Sequence, residues 1–305
     1  MGGESAAEGT RSSDPPGGPG RPGLVLVATP IGNLGDLSPR ALAALRDADA
    51  VLCEDSRVTG GLLARQGIAA TMIPLHEHNE AAQAPRLVER MAAGESFALV
   101  SDAGTPLVSD PGYRLVRAAI AAGIQVSAVP GPNAAVMALA LSGLPPHPFL
   151  FLGFLPARSG PRAAELSRLR GIERAGLSAT LVLYEAPHRL AEALAALAEA
   201  LGPERPAAVA RELTKRFEEV RRGSLGDLAA HYATAEARGE ICILVGPAPE
   251  EAAAGAADID AALRAALAGG MSLRDAAASV AAATGVKKRE VYARALALDT
   301  TPEPG

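Results

Sequence analysis

Between residues 24 and 130 the chain alternates short apolar runs with amphipathic segments of helical spacing, and this alternation restricts the fold more than any other feature. Residues 24–28, 50–53, 70–73, 97–100 and 126–129 read as strands, and 39–48, 57–66, 81–93 and 113–122 read as helices. Ser38 ahead of Pro39 is a helix-start signal, a hydroxyl cap followed by a residue whose missing N–H costs nothing in the first turn. Strands and helices in this order predict a largely parallel sheet covered on both faces. In such sheets a ligand lies in the crevice beyond the strands' carboxyl ends, so the loops that follow the strands are where chemistry is expected.

One of those loops stands out. Ser101-Asp-Ala-Gly-Thr-Pro-Leu-Val-Ser-Asp-Pro-Gly112 joins a buried strand to a helix with twelve small, hydroxyl and turn-forming residues, where such connections usually take about 2–6. Gly104 lets backbone approach a ligand, and Asp102, Thr105 and Ser109 offer polar contacts. Asp110 reads as the N-cap of the following helix, with Pro111 in its first turn.

The other strand-end loops are also unusual. Thr29-Pro-Ile-Gly-Asn-Leu-Gly-Asp36 is turn-rich but is not the glycine fingerprint of dinucleotide sites. Glu54-Asp-Ser-Arg57 offers two adjacent carboxylates, which suit either a general base or a solvated helix start favoured by the helix dipole. His76-Glu-His-Asn-Glu80 could ligate a metal through its two histidines, yet no matching Cys/His set accompanies it, so a polar loop or substrate contact is the better reading and no metal is expected. Pro130-Gly-Pro-Asn-Ala134 can set backbone amides against a ligand before a helix begins.

Leu141-Ser-Gly-Leu-Pro-Pro-His-Pro148 breaks the pattern and reads as a hinge between two units. Strands are then predicted at 149–154, 179–184, 207–211, 218–222 and 241–245, with helices at 187–201 and 225–237. The close spacing near 207–222 favours a mixed sheet. Residues 247–257 form an Ala/Pro/Glu linker, and 258–298 read as three short helices. The domain plan is therefore a disordered tail over 1–22, α/β subdomains over 23–140 and 149–247, and a small helical domain over 258–299.

No apolar stretch approaches the ~18–20 residues of a membrane span. Cys53 and Cys242 sit inside predicted strands without metal spacing, as expected of reduced core residues in a cytoplasmic protein. A net charge of −5 argues against indiscriminate nucleic-acid binding but leaves room for local basic faces. Arg158, Arg162, Arg168, Arg170 and Arg174, the stretch from Arg211 to Glu219, and Lys287-Lys-Arg289 are such clusters, suited to helix-face ion pairs or to phosphate contacts.

Nine motifs occur in order: Thr29-Pro-Ile-Gly-Asn33, Glu54-Asp-Ser-Arg57, His78-Asn-Glu80, Ser101 to Gly112, Pro130-Gly-Pro132, Gly153-Phe-Leu-Pro156, Tyr184-Glu185, Pro187-His-Arg189 and Arg211-Glu-Leu-Thr-Lys215. With them the chain resembles the ribosomal RNA small subunit methyltransferase I family of the tetrapyrrole methylase superfamily, over about residues 24–246. The helices beyond resemble that family's C-terminal extension. Ser56 and Ala186 stand where Thr and Ser are usual.

The resemblance implies a tetrapyrrole-methylase-like α/β fold with a cleft between two subdomains. It implies S-adenosylmethionine as methyl donor, a homodimer, and 2′-O-methylation of a cytidine in the decoding region of 16S rRNA. By motif match the donor touches Pro30, Asp102, Ala103, Gly104, Thr105, Val108, Ser109, Asn133, Ala134, Tyr184 and Glu185. Glu54 is the candidate base with Asp55 its rival, and Arg57, Arg189, Arg211 and Lys215 are candidate RNA contacts. A methylase of a tetrapyrrole or other small molecule, and a non-catalytic RNA-binding assembly factor, are the alternatives; Arg211-Glu-Leu-Thr-Lys215 and the intact loops at 29–33 and 101–112 weigh against them.

Overall fold

A computed structural model describes residues 23–249, 256–284 and 286–299; the predicted disordered tail over 1–22 and positions 250–255 of the predicted linker lie outside the described residues. The first unit runs β1 (Leu24–Val27), α1 (Pro39–Asp47), β2 (Ala50–Cys53), α2 (Ser56–Arg65), β3 (Met72–Pro74), α3 (Glu77–Ala92), β4 (Phe97–Leu99), α4 (Tyr113–Ala121), β5 (Val126–Val129) and α5 (Ala134–Ser142). Its strands pair in the order β3-β2-β4-β1-β5, every pair parallel. Alternate residues feed opposite cores: Leu24, Leu52 and Leu99 pack with α3 and α4, while Val27, Val51 and Ala98 pack with α1 and α2. That is why these strands read as unbroken apolar runs.

The second unit runs β6 (Phe149–Phe154), α6 (Ser159–Arg174), β7 (Thr180–Glu185), α7 (Leu190–Leu201), β8 (Pro206–Arg211), β9 (Glu219–Ser224), α8 (Leu225–Tyr232) and β10 (Ile241–Val245). The order is β6-β7-β10-β8-β9, with β6 parallel to β7 and the remaining pairs antiparallel, the mixed sheet that the strand spacing suggests. Helices α6, α7 and α8 cover one face through Leu166, Leu169, Leu194, Leu197 and Leu228. The other face is covered by α5. Its Ala135, Ala138 and Leu139 pack with Val182, Ala208, Cys242 and Leu244, and Ile31 from the loop after β1 joins them.

Two local expectations are corrected. The segment 141–148 is not a loose hinge. Helix α5 runs to Ser142, Arg222 of β9 donates Nε to the Ser142 carbonyl at 3.1 Å, and Thr180 donates its hydroxyl to the Pro145 carbonyl at 2.7 Å. Nor does Asp110 cap α4. The N-cap is Gly112, at φ 119°, and a Cβ there would lie 2.6 Å from Leu99 Cδ2. The amide of Leu115 in the first turn is instead taken by Glu80 Oε1 of α3 at 3.0 Å.

Helix α3 begins four residues earlier than its apolar spacing indicates, where the His76 amide donates to Asn79 Oδ1 at 2.8 Å, and α8 ends at Tyr232 rather than 237. Three further helices, α9 (Ala256–Ala268), α10 (Leu273–Thr284) and α11 (Lys288–Asp299), share a small core of Leu263, Ala276, Ala277, Val291 and Ala295.

Candidate active site at the junction of the two sheets

The strand-end loops converge. Thr29, after β1, and Gly104, after β4, exchange backbone hydrogen bonds of 2.8 and 3.1 Å, which ties two loops 75 residues apart into one wall. Gly104 sits at φ 87°, a conformation that favours glycine. Thr105 Oγ1 donates to the Pro132 carbonyl at 3.0 Å, and this joins the loop after β5 to the same wall. Further along, Leu107 (φ 72°) and Ser109 (φ 68°) both hold left-handed backbone, which costs side-chain-bearing residues on the order of 1–3 kcal/mol each.

This wall faces the ends of β7 and β10 across a cavity of about 420 Å³, within the size range of small-molecule sites. Of the predicted donor contacts, Asp102, Ala103, Gly104, Thr105, Val108, Ser109, Ala134, Tyr184 and Glu185 line it. Pro30 and Asn133 do not, although Asn133 stands beside the wall as the N-cap of α5. Residues not foreseen there are Ile31, Asp110, Phe154, Ala186, Pro187, Ala210, Leu213, Gly239, Glu240, Ile241 and Cys242. The loop before β10 carries no sequence signal beyond one glycine, and Cys242 reads as core because its strand is apolar throughout.

The charged lining is one-sided. Asp102, Asp110, Glu185 and Glu240 line the cavity, and among the described residues no Lys, Arg or His does. Glu185 is buried; its Oε1 accepts from the Ala186 amide at 2.8 Å and faces Arg189 Nε at 3.3 Å, whereas its buried Oε2 has no partner among the described residues. A buried carboxylate oxygen left without a donor is costly unless a ligand supplies one. Tyr184 packs edge-on against Phe151 and Phe154, and burial pushes its phenol up to about 12. Burial likewise pushes the Cys242 thiol to about 12, so it is a neutral wall group and not a nucleophile.

The two candidate bases separate. Asp55 caps α2 through the Arg57 amide at 2.8 Å and pairs with the Arg57 guanidinium at 2.6 Å; these bonds hold its carboxyl down at about 2. Glu54 is an exposed residue outside the cavity lining, raised by partial burial and by the Asp102 carboxylate. Asp102 accepts the Asp55 amide at 3.2 Å. Asp110, expected to be a cap, is the most perturbed carboxyl of the group: burial, then the Glu54 carboxylate, push it up to about 6, against the opposing pull of the nearby Ser101 hydroxyl.

The candidate RNA contacts are mostly engaged within the fold. Arg189 is largely buried and donates Nη2 to the Leu155 carbonyl at 2.6 Å. Arg211 donates Nε to Glu219 at 2.6 Å, and Lys215 bridges Glu212 and Glu240 at 2.8 and 3.1 Å. Arg57 keeps its side chain 88% exposed despite its pairing. On α6, Arg162 is buried against Glu192 and Arg168 pairs with Glu165. His76 and His78 meet edge-on with ring centres 6.0 Å apart, and among the described residues no group of three or more His, Cys, Asp or Glu is placed to hold a metal.

Residues 23–229 match the family model of tetrapyrrole (corrin/porphyrin) methylases, and 253–299 match the model described as the RsmI C-terminal HTH domain. A protein of Mesorhizobium japonicum named ribosomal RNA small subunit methyltransferase I is 51% identical over 95% of this chain and 97% of its own length. The chain belongs to this methyltransferase family. Its members of the same name from Pseudomonas aeruginosa (45% identity, 90% of this chain and 96% of that one) and Escherichia coli O157:H7 (43%, 90% and 94%) agree. Among solved structures, a uroporphyrin-III-C-methyltransferase from Thermus thermophilus is similar at 26% identity and TM-score 0.50, covering 74% of this chain and 94% of that one. A diphthine synthase, at 18% identity and TM-score 0.57 over 73% and 89%, shares the fold. The tetrapyrrole methylase fold with a helical C-terminal module is thus the architecture that the motifs imply.

Proposed function

We propose that the protein is an S-adenosylmethionine-dependent methyltransferase of small-subunit ribosomal RNA, acting on a cytidine 2′-hydroxyl in the decoding region of 16S rRNA. The observation that carries the donor assignment is the cavity lined by four carboxylates and, among the described residues, no cation. Such a lining repels phosphate-bearing cofactors and favours a ligand with fixed positive charge, and the buried Glu185 Oε2 awaits a donor from it. S-adenosylmethionine, when bound, supplies an activated methyl group on a cationic sulfur. Asp102, Ala103, Gly104, Thr105, Val108, Ser109, Ala134, Tyr184 and Glu185 would hold it, with Asn133 reaching Thr105 Oγ1 at 3.5 Å, while Ile31, Leu213 and Phe154 exclude water.

Family membership supports the RNA acceptor, and the distribution of free charge suggests how it is held. With Arg189, Arg211 and Lys215 committed to carboxylates or carbonyls, phosphate contacts fall to exposed Arg57 and to Lys287, Lys288 and Arg289 at the start of α11. Those three adjacent cations are exposed and carry no ion pair among the described residues.

A homodimer belongs to the same proposal, and α5 supports it. The helix is apolar on every side, yet Val136 and Met137 remain 51% and 44% exposed. A helix apolar all round is a helix buried all round, and a second copy supplies the missing cover.

The decisive experiment is transfer from tritiated donor to small-subunit particles lacking the modification, followed by mapping of the label. Label on a cytidine ribose is expected; label on a base, or transfer only to a porphyrin precursor, overturns the reading.

A further inference from the structure

The loop between β8 and β9, residues 212–218, is built from two turns at the rim of the donor cavity. Glu212 (φ 50°) and Thr214 (φ 66°) both hold left-handed backbone, a costly conformation for residues with side chains and one that clusters at functional sites. Between them Leu213 lines the cavity. The Lys215 amide closes the first turn on the Glu212 carbonyl at 3.0 Å, and the Glu218 amide closes the second on the Lys215 carbonyl at 3.2 Å. Arg216 and Phe217 are therefore the central residues of the second turn, at the tip of the loop.

The stem of this loop is braced from both units. Arg211 and Glu219 pair across it at 2.6 Å, and Glu212 Oε1 accepts from Lys215 Nζ at 2.8 Å and from the Glu240 amide at 3.2 Å. Glu218 Oε2 accepts the Thr214 amide at 2.7 Å. From the first unit, Gly32 comes so near that a Cβ there would lie 2.4 Å from Lys215 Cγ. What the bracing carries is an exposed tip. The Phe217 ring is 66% exposed, more than any other large apolar side chain among the described residues. The Arg216 guanidinium carbon lies 5.5 Å from the ring centre, within cation–π range. Arg211, Lys215 and Arg221 are all paired with carboxylates, whereas exposed Arg216 carries no ion pair among the described residues.

We propose that Phe217 and Arg216 form a stacking platform for an unpaired RNA base beside the acceptor nucleotide, an inference that rests on the RNA function proposed above. Single-stranded RNA is recognised by splaying its bases onto aromatic rings and guanidinium planes, and the tip offers one of each. Phe217 follows Leu213 of the cavity wall by four residues, at most about 14 Å of chain. A base held there places the strand next to the donor, so the platform orients the acceptor ribose as well as tethering the RNA. A second copy of this chain suits the tip less well. The residues flanking the ring, Thr214, Lys215, Arg216 and Glu218, are all polar, unlike the continuous apolar side of α5 that a dimer face requires.

The test uses the full-length enzyme and small-subunit particles lacking the modification. Stacking of one base on an aromatic ring changes binding by about 5- to 150-fold. Phe217→Ala should lose that factor in kcat/KM, through KM, while S-adenosylhomocysteine affinity measured by calorimetry stays unchanged. Phe217→Leu keeps an apolar side chain without a π-face and should lose as much, whereas Phe217→Trp should rescue the loss. The chain contains no tryptophan, so Phe217→Trp also sets a single indole on the platform, and its fluorescence should be quenched as particles bind. Phe149→Trp is the control for light absorbed by the particles. It pairs with the start of β7, at the end of the sheet opposite the cavity, and should show no further quenching.

An unchanged kcat/KM in Phe217→Ala overturns the proposal, and so does full activity in Phe217→Leu, which would make the contact merely apolar. Monomers of Phe217→Ala in light scattering would assign the ring to a second copy, and a loss of S-adenosylhomocysteine affinity would assign it to the donor site; either result overturns the platform. Should Phe217→Ala fail to fold, the indole decides: quenching at 217 but not at 149 supports the platform, and equal quenching at both overturns it. A wild-type enzyme that labels no particle overturns the function and the proposal together, whereas an active wild type with an equally active Phe217→Ala overturns only the proposal.

Discussion

Glu80 Oε1 accepts the Leu115 amide at 3.0 Å, so a buried carboxylate on α3 caps a helix whose own sequence leaves it uncapped. Glu80→Ala leaves a buried donor unpaired and should destabilise the protein by about 1–3 kcal/mol. A lower urea midpoint with an unchanged m-value is the expected result; an unchanged midpoint would show that water takes over the bond.

Asp110 should behave in the opposite way. Its carboxyl is raised from 3.8 to about 6 in the fold, so the folded state binds the proton more tightly than the unfolded chain. Stability associated with this group is therefore greatest below about pH 4 and is lost as pH rises through 6. Asp110→Asn carries no charge to bury and should melt higher than wild type at pH 8, with the difference vanishing at pH below 4. A lower melting temperature at pH 8 would return Asp110 to a structural role.

Asp55 gives the reverse pH dependence. Its carboxyl is lowered from 3.8 to about 2 by Arg57, so its contribution is present above about pH 4 and fades as pH falls towards 2. Asp55→Asn keeps a capping side chain but loses the ion pair. The gap in urea stability between wild type and variant should close on acidification, and a gap that widens contradicts the assigned pairing.

Charge removal on α11 should act on RNA affinity and leave the donor site alone. Lys287→Ala with Lys288→Ala should weaken particle binding and flatten its salt dependence, by roughly 0.7 in logarithmic slope for each single-strand phosphate that is no longer neutralised. Donor affinity should not change. An unaltered salt slope would assign the cluster to solvent.

The exposed side of α5 can be tested by one charge. Met137→Glu places a carboxylate in the proposed dimer face and should yield monomers by light scattering after gel filtration, with near-wild-type circular dichroism. Dimers that persist would place the interface elsewhere.

Much of this architecture is legible in the sequence because the first sheet obeys local rules. Its inner strands β2 and β4 are buried on both faces, so each is an apolar run, and the loops at 29–36 and 101–112 betray themselves by composition. The features that mislead depend on partners distant in sequence. Asp110-Pro111 has the local form of a helix start, but the acceptor that caps α4 lies 35 residues upstream on α3. The cations of Arg211 and Lys215 look available to RNA until Glu219 and Glu240 are brought beside them by strand pairing. The prolines of 145–148 signal irregular backbone, which is not the same as mobility once Thr180 binds the Pro145 and Pro148 carbonyls.

Helix α5 follows the last strand of the first sheet yet fills the core under the second, with Ile31 of the first unit packed beside it. The two halves are thus mortised together, each missing part of its interior without the other. Cutting the chain within 143–148 would not release two folding fragments, and the α/β body should unfold in a single step. The width of the donor cleft is in consequence a property of the folded core, set when the body folds and not by a hinge that swings afterwards.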